Sequence, residues 1–507
     1  MRWNAEQEIV IVGAGISGLA CAQFMRMRGA DPLVLEAGKR AGGKLWSEDQ
    51  EGFLLEHGPA SLRGAGPELR ELVEALGLEE RLVTPATAAS RRFILRNGTP
   101  RQVPSSAGSF LRADLLSGGA KLRALAEPFV RRGSAARAAN RPRTGDGGRK
   151  GDGGRAASED TGATAGADES VSSFVTRRLG REVNDYAVEP FVAGIYAGDP
   201  DQLSVQSAFP MLSGLEARYG SVLRGALKAR AAARRKRRDD GDARAGNSRG
   251  AGARTSGAGR SGQLTFRGGV SELPEAIAAA LDERLLLEAC VTAVRRSERG
   301  FELTVQQGRR ERRLQAKQVV LAVPAYAAAE LVRGVDGYAS EALSRIPYPP
   351  ILTVTVGVSA EAFPEPPEGF GLLIPRVERR SILGVIYAHS VFPHRAPEQG
   401  VLLTVFVGGS RDRELLRRYT AEELLQRTRA ELRELFGLRA EPALLRHVLW
   451  ERAIPQYTVG HEQRMAALRA AEERHRGLRF LGNYRGGVAV ANCLAEARRT
   501  AEAVAGR

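Results

Sequence analysis

The chain has 507 residues, 43% of them apolar, so it can bury a large core over about three domains, and a wholly disordered chain is excluded. Its three cysteines, Cys21, Cys290 and Cys493, are too dispersed for a disulfide framework or a thiolate metal cluster, and they suit a reducing compartment. The net charge of +16 is concentrated: fourteen basic residues, against three aspartates, lie between Arg218 and Arg267, so the basicity belongs to one segment and not to a nucleic-acid-binding body.

The N-terminal residues MRWNAEQEIVIVGAG lack a small-residue cleavage site, and their apolar run leads straight into glycines. No stretch has the ~20 apolar residues that span a bilayer. A cytosolic or peripherally attached protein is expected. Residues 8–12 predict a buried strand, 17–29 a helix stopped at Gly29, and 33–36 a second strand, which together make a right-handed βαβ unit. Residues 67–77 place Leu69, Leu72, Val73 and Leu76 on one helical face. Residues 92–103 predict a hairpin turning at Asn97-Gly98. Residues 131–169 and 230–262 are rich in Gly, Ala and Arg with almost no large apolar side chains, and both are predicted to be disordered insertions. Order resumes at Leu264. Strands are predicted at 285–296, 301–305, 318–323, 351–358 and 401–407, an amphipathic helix at 421–436, a strand at 478–482 and a last helix at 491–505.

The first turn, Gly13-Ala14-Gly15-Ile16-Ser17-Gly18, fits G-x-G-x-x-G between a strand and a helix. Gly13 permits the tight turn, Gly15 lets a pyrophosphate approach the backbone, and Gly18 lets the helix pack on the strand. The helix N-terminus offers free N–H donors to phosphate. Glu36 ends the second strand, where a carboxylate accepts hydrogen bonds from an adenosine ribose. A dinucleotide site is therefore expected, with a plain glycine turn as the alternative.

The run Glu36-Ala37-Gly38-Lys39-Arg40-Ala41-Gly42-Gly43-Lys44 resembles the E-A-x-x-R-x-G-G-[KR] signature of the flavin-containing amine oxidase superfamily. Arg40 is suited to neutralising pyrophosphate, and the glycine pair lets backbone pass beside a bulky cofactor. Further motifs are similar to the oxygen-dependent protoporphyrinogen oxidase family. They are His57-Gly58-Pro59-Ala60-Ser61, Ser173 to Gly180, Glu189 to Gly198, Leu203-Ser204-Val205, Phe209-Pro210, Phe266-Arg267-Gly268-Gly269 with Leu273-Pro274, Ile454 to His461, and Gly487-Val488-Ala489-Val490. The resemblance covers nearly all the chain outside the two insertions.

This resemblance implies FAD as cofactor, held by Gly13, Ala14, Gly15, Ile16, Ser17, Gly18, Glu36, Ala37, Arg40, Gly43, Lys44, Gly58, Pro59, Ala60, Ser61, Val291, Trp450, Val488, Ala489 and Val490. The loop before Val490 would lie against the isoalloxazine, where a helix N-terminus stabilises an anionic reduced flavin. Arg92 matches the arginine that pairs with a substrate propionate, with Arg91 one register away. Gly194 matches a glycine beside the pyrrole N–H groups. Leu372, Leu383 and Ile386 are expected pocket walls. The implied activity is oxidation of protoporphyrinogen IX to protoporphyrin IX in haem synthesis, with three O2 reduced to three H2O2. Coproporphyrinogen III oxidation is the sister activity. An amine oxidase, a carotenoid desaturase and a non-catalytic FAD-fold protein are the remaining alternatives. No side-chain base is assigned, no metal is expected, and the six histidines are scattered.

The expected fold class is α/β: a discontinuous Rossmann-like FAD-binding domain, a mixed α+β substrate domain and a helical membrane-contacting region. The FAD-binding parts are 1–86, 263–330 and 441–507, and the substrate parts 183–229 and 331–440. The membrane-contacting region is 87–182. Within it, residues 108–116 and 122–130 alternate apolar and basic side chains. The basic 230–262 segment would add attraction to anionic lipid at ~1 kcal/mol per basic residue near the surface. The expected location is cytoplasmic, peripheral on the inner face of the cell membrane. Partners are a porphyrinogen, molecular oxygen and anionic lipid. Nucleic acid is not expected, and a homodimer is compatible with the resemblance.

Overall fold

The computed structural model describes residues 6–63, 66–131, 168–232 and 262–506. The two segments read as disordered insertions lie almost wholly outside the described residues; of their ends, 230–232 are helical. The chain divides into two compact units, one of Met1–Leu115, Asp185–Asp199 and Thr255–Arg507, the other of Leu116–Asn184 and Pro200–Arg254.

The first unit holds two seven-stranded sheets. In one, the strands run Leu285–Leu286, Leu33–Leu35, Glu6–Val12, Arg310–Leu321, Gly300–Gln307 and Ala289–Ser297, with Leu478–Phe480 added in parallel to Arg310–Leu321. Parallel strands covered on both faces carry unbroken apolar runs, as in Ile9-Val10-Ile11-Val12. Ile9 and Ile11 face helices Ile16–Arg26 and Val490–Ala505. Val10 and Val12 face Ala325–Val332, Gly337–Ser344 and His461–Arg474. This period-two split commits all four residues of that run to a core.

The second sheet runs Leu444–Trp450, Ile351–Ser359, Gly400–Gly408, Ile382–Tyr387, Gly371–Leu373, Arg92–Arg96 and Thr99–Gln102. Helix Ala421–Phe436 starts with a Thr420/Glu423 capping box and buries Leu424, Leu425 and Leu432 against Val354, Val356 and Val405. The hairpin turns at Asn97-Gly98, both at positive φ as a type I′ turn needs, and the Glu378 carboxylate accepts from both N–H groups.

These placements correct three expected boundaries. The hairpin belongs to the second sheet and not to a helical region, because Arg92–Arg96 pairs in parallel with Gly371–Leu373. Strand Leu444–Trp450 is the edge of that same sheet, so 441 is not a border. Residues 331–346 pack in the core of the first sheet, where Leu331, Val332, Leu343 and Ile346 are buried.

The second unit is helical over Gly118–Leu125, Val171–Leu179 and Pro210–Tyr219. Arg178, with no exposed surface, pairs with the equally buried Glu127 and donates to the Val130 and Gly220 carbonyls. Glu127 also accepts from the backbone of Val222 and Leu223. Arg177 pairs with Glu169 and Glu216. The two arginines thus tie Glu127–Arg131, before the first undescribed segment, to Glu169, after it, and to Glu216 and Gly220. No helix among the described residues is long and apolar enough to cross a membrane.

Removing one partner of a fully buried pair strands the other charge, so Arg178→Met is expected to destabilise the protein by about 3–5 kcal/mol, read by urea unfolding.

Candidate active site

The glycine turn joins Glu6–Val12 to Ile16–Arg26. Gly13 has φ +105°, and a side chain there would meet the Ala322 carbonyl at 2.8 Å. A side chain on Gly18 would overlap the Gly13 carbonyl oxygen, which is why helix and strand lie so close. A Cβ on Gly15 meets nothing within 4 Å. Gly15 is the helix N-cap with no side-chain cap, so the first-turn N–H groups of Ile16, Ser17 and Gly18 remain available for an anion. Glu36 braces the turn from the second strand, accepting from the Ala14 N–H at 2.7 Å and the Gly38 N–H at 2.8 Å. A cavity of about 300 Å³ opens beside it, lined by Gly13, Glu36, Ala37, Cys290, Val291 and Glu330 among others. Val291 sits at a strand irregularity there. An open glycine cradle, unpaired helix donors and a carboxylate at the cavity fit a dinucleotide.

Arg40 and Lys44 differ in how the chain itself engages them. The Arg40 guanidinium is committed to the loop itself, donating to the carbonyls of Ala41 (3.0 Å), Gly43 (2.5 Å) and Leu45 (3.0 Å) and lying over Trp46. Lys44 is half-buried, lies 5.8 Å from the Tyr348 ring centre, and has no carboxylate partner among the described residues. Burial pulls its ammonium down to about 8. Gly43, which follows a backbone bridge between Gly15 and Gly42, brings it beside the turn. Lys44 is therefore the unneutralised cation next to the cradle.

The loop Gly58-Pro59-Ala60-Ser61 is half-buried, and a side chain on Gly58 would overlap the Lys44 carbonyl. Trp450 Nε1 donates to the His57 carbonyl at 2.8 Å. At the other end of the chain, Val488 and Ala489 lead into Val490–Ala505, whose N-cap, Ala489, again has no side-chain cap. Tyr457 fixes that loop: its hydroxyl donates to the Asn483 carbonyl and accepts from the Gly487 N–H. Tyr457 and Tyr484 are 2% and 0% exposed, so neither ring forms part of an open aromatic cage.

On the second sheet the register sorts the expected substrate residues. Arg92, Gly371, Leu373, Gly384 and Ile386 occupy one face, since Arg92 opposes Gly371 and Gly371 opposes Ile386. Leu383 joins that side, packing with Ala193 across the irregularity between Ile382 and Gly384. Leu372 does not: it is 1% exposed in the core beneath Ala421–Phe436, because neighbours in a strand point to opposite faces. The residue presented to helix Glu189–Tyr196 is Leu373, whose Cδ2 lies 2.8 Å from where a Gly194 Cβ would be. Gly194 itself is exposed, and no donor among the described residues reaches its carbonyl.

Arg92 is exposed and stacks over Phe370 at 5.0 Å with no carboxylate partner among the described residues, whereas Arg91 is neutralised by Glu368 at 2.6 Å. Arg376 and Arg411 near helix Glu189–Tyr196 are already paired, with Asp199 and Glu189. Phe370 and Phe406 were missed from the sequence; both are half-buried on this side, Phe406 opposite Gly384. No periodicity along one strand points to them: Phe370 lies just before Gly371–Leu373, and Phe406 reaches this side only through the pairing of Gly400–Gly408 with Ile382–Tyr387. Among the described residues no group of His, Cys, Asp and Glu could hold a metal.

Residues 16–505 match the family of flavin containing amine oxidoreductases. The chain is 35% identical to a chloroplastic protoporphyrinogen oxidase of Nicotiana tabacum, over 99% of this chain and 86% of that one. It is 27% identical to a coproporphyrinogen III oxidase of Bacillus subtilis, over 97% and 96%. A solved structure from an Exiguobacterium species matches the fold with a TM-score of 0.73 at 24% identity, covering 100% of this chain and 99% of that one.

Because Lys44 is held charged at a cost below pH 8, and that cost fades as pH rises from about 8 toward its ordinary 10.5, Lys44→Met is expected to stabilise the cofactor-free protein at pH 7, with the gain vanishing above about pH 10.5. The same variant is expected to weaken dinucleotide binding by about 2 kcal/mol, read by titration of the cofactor-free protein.

Proposed function

The chain belongs to the flavin containing amine oxidoreductase family and uses FAD, and we propose that it oxidises protoporphyrinogen IX to protoporphyrin IX. The observation that carries this reading is Arg92, an unpaired guanidinium on an aromatic platform at the edge of an apolar sheet face. A porphyrinogen is a flexible apolar macrocycle bearing carboxylates. Arg92 binds a propionate in a bidentate manner, with Phe370 holding the guanidinium plane. Leu383, Ile386 and Phe406 line the ring and exclude water. The Gly194 carbonyl accepts a pyrrole N–H and so orients the macrocycle without a titrating side chain.

When bound, FAD supplies the two-electron acceptor, so six electrons leave in three rounds, with three O2 reduced to three H2O2. Coproporphyrinogen III carries two further propionates. Arg91, Arg376 and Arg411 are all neutralised, so none of these three offers a further propionate an unpaired guanidinium, which favours the substrate with fewer carboxylates. The buried hydroxyls of Tyr457 and Tyr484 disfavour an amine substrate.

The test is aerobic oxidation of both porphyrinogens side by side, followed by porphyrin fluorescence. Protoporphyrin is expected to form faster, and Arg92→Ala is expected to cost about 2–3 kcal/mol in kcat/KM, mainly through KM. Faster coproporphyrin formation would move the enzyme to the sister activity, and neither product from the FAD-loaded protein would overturn the reading.

The proposal extends to location: a cytoplasmic protein, peripheral on an anionic membrane. It is supported by Leu122, Leu125, Phe129 and Leu227, all more than half exposed in the second unit, with the basic Arg224 and Lys228 beside them in sequence. Replacing Leu122, Phe129 and Leu227 by serine is expected to abolish sedimentation with anionic vesicles; unchanged sedimentation would sink the idea.

A further inference from the structure

Glu56 ends strand Phe53–Glu56 and immediately precedes the loop 57–61. It is 3% exposed, yet its carboxylate is fully engaged. Oε1 accepts from Arg395 at 2.7 Å and from the Val270 N–H at 3.0 Å, and Oε2 accepts from Ser47 Oγ at 2.7 Å. Arg395, 1% exposed, also donates to Thr265 Oγ1 at 2.9 Å. Gly269 is a glycine because a side chain there would run into Ser47 and Glu56. Arg395 comes from the turn Pro393–Arg395 and stacks on Phe392, which packs in one cluster with Phe370 and Ile386. The far side of Glu56 is equally constrained. The His57 N–H donates to the Trp46 carbonyl at 2.9 Å, and the His57 carbonyl accepts from Trp450.

We propose that Arg395 is a positioning residue: by fixing the Glu56 carboxylate it holds the loop 57–61 in the shape that meets the flavin, and it ties that loop to the substrate face through Phe392. Burying an ion pair contributes little net stability, since apolar side chains of the same volume serve as well or better. What a converging set of hydrogen bonds provides is direction. Three donors on three separate segments fix Glu56 to one place, and the tight approach of Gly58 to the Lys44 carbonyl leaves the next residues no room to drift. The proposal rests on FAD occupying the dinucleotide site and involves no porphyrinogen, so it stands or falls apart from the proposed substrate.

The experiment uses the full chain loaded with FAD and reads thermal midpoint, FAD dissociation constant and visible circular dichroism of the bound flavin. Arg395→Met is expected to lower the midpoint and weaken FAD binding by about tenfold or more. The double variant Glu56→Leu with Arg395→Met is expected to regain the midpoint while FAD binding stays weak and the flavin dichroism stays altered. If the double variant restores affinity and dichroism together with the midpoint, the pair only fills space and the proposal is overturned. Ser47→Ala removes one donor without leaving a buried charge unpaired. It is expected to weaken FAD a few-fold and shift the dichroism with little change in midpoint. Unchanged affinity and dichroism there would overturn the proposal as well.

Discussion

The overlap that any side chain on Gly18 would make with the Gly13 carbonyl is the constraint from which the site is built. It brings helix Ile16–Arg26 hard against strand Glu6–Val12, and only then do the free N–H groups of the first turn point at the space left by Gly15. Glu36 locks the turn to the neighbouring strand, and the Gly42 N–H donates to the Ala14 carbonyl, so the loop that carries Lys44 is laid across the cradle. The last helix, Val490–Ala505, packs on the first and brings a second uncapped N-terminus to the same unit. Placement of the charged groups therefore follows from one backbone approach that glycine alone allows.

The parts of this arrangement that were legible in the sequence are those with a local cause. The glycine turn, Glu36, the Asn97-Gly98 hairpin and the amphipathic helix Ala421–Phe436 are set by residues within one or two turns of each other. What the sequence did not disclose depends on distant partners. Arg40 reads from the sequence as a phosphate ligand, and its three bonds to the carbonyls of Ala41, Gly43 and Leu45 are not written there. Leu372 and Leu373 are chemically alike, and only pairing with Ile382–Tyr387 decides which one faces helix Glu189–Tyr196. Glu56 and Arg395, 339 positions apart, carry no mutual signature at all.

The two arginines of the second unit show how a motif can be specific without touching a cofactor. Arg177 and Arg178 gather three carboxylates and three backbone carbonyls into one knot. The segments gathered are those leading into the stretches 132–167 and 233–261. The sequence feature that looked like a family marker is, physically, a clamp joining Glu127–Arg131, Glu169 and Glu216–Gly220.

The strand bearing Arg92 takes its parallel neighbour from Gly371–Leu373, and Arg91 reaches Glu368 across 277 positions of chain. This has a kinetic consequence. During synthesis the hairpin 92–102 emerges early and then waits, one edge unsatisfied, until most of the protein has left the ribosome. Pairings of such sequence separation form late, because closure entropy must be met before any contact rewards it. The guanidinium proposed to meet the substrate is thus encoded within the first fifth of the chain yet is among the last to reach its place. An interrupted chain would expose that edge to neighbouring strands well before it could bind anything.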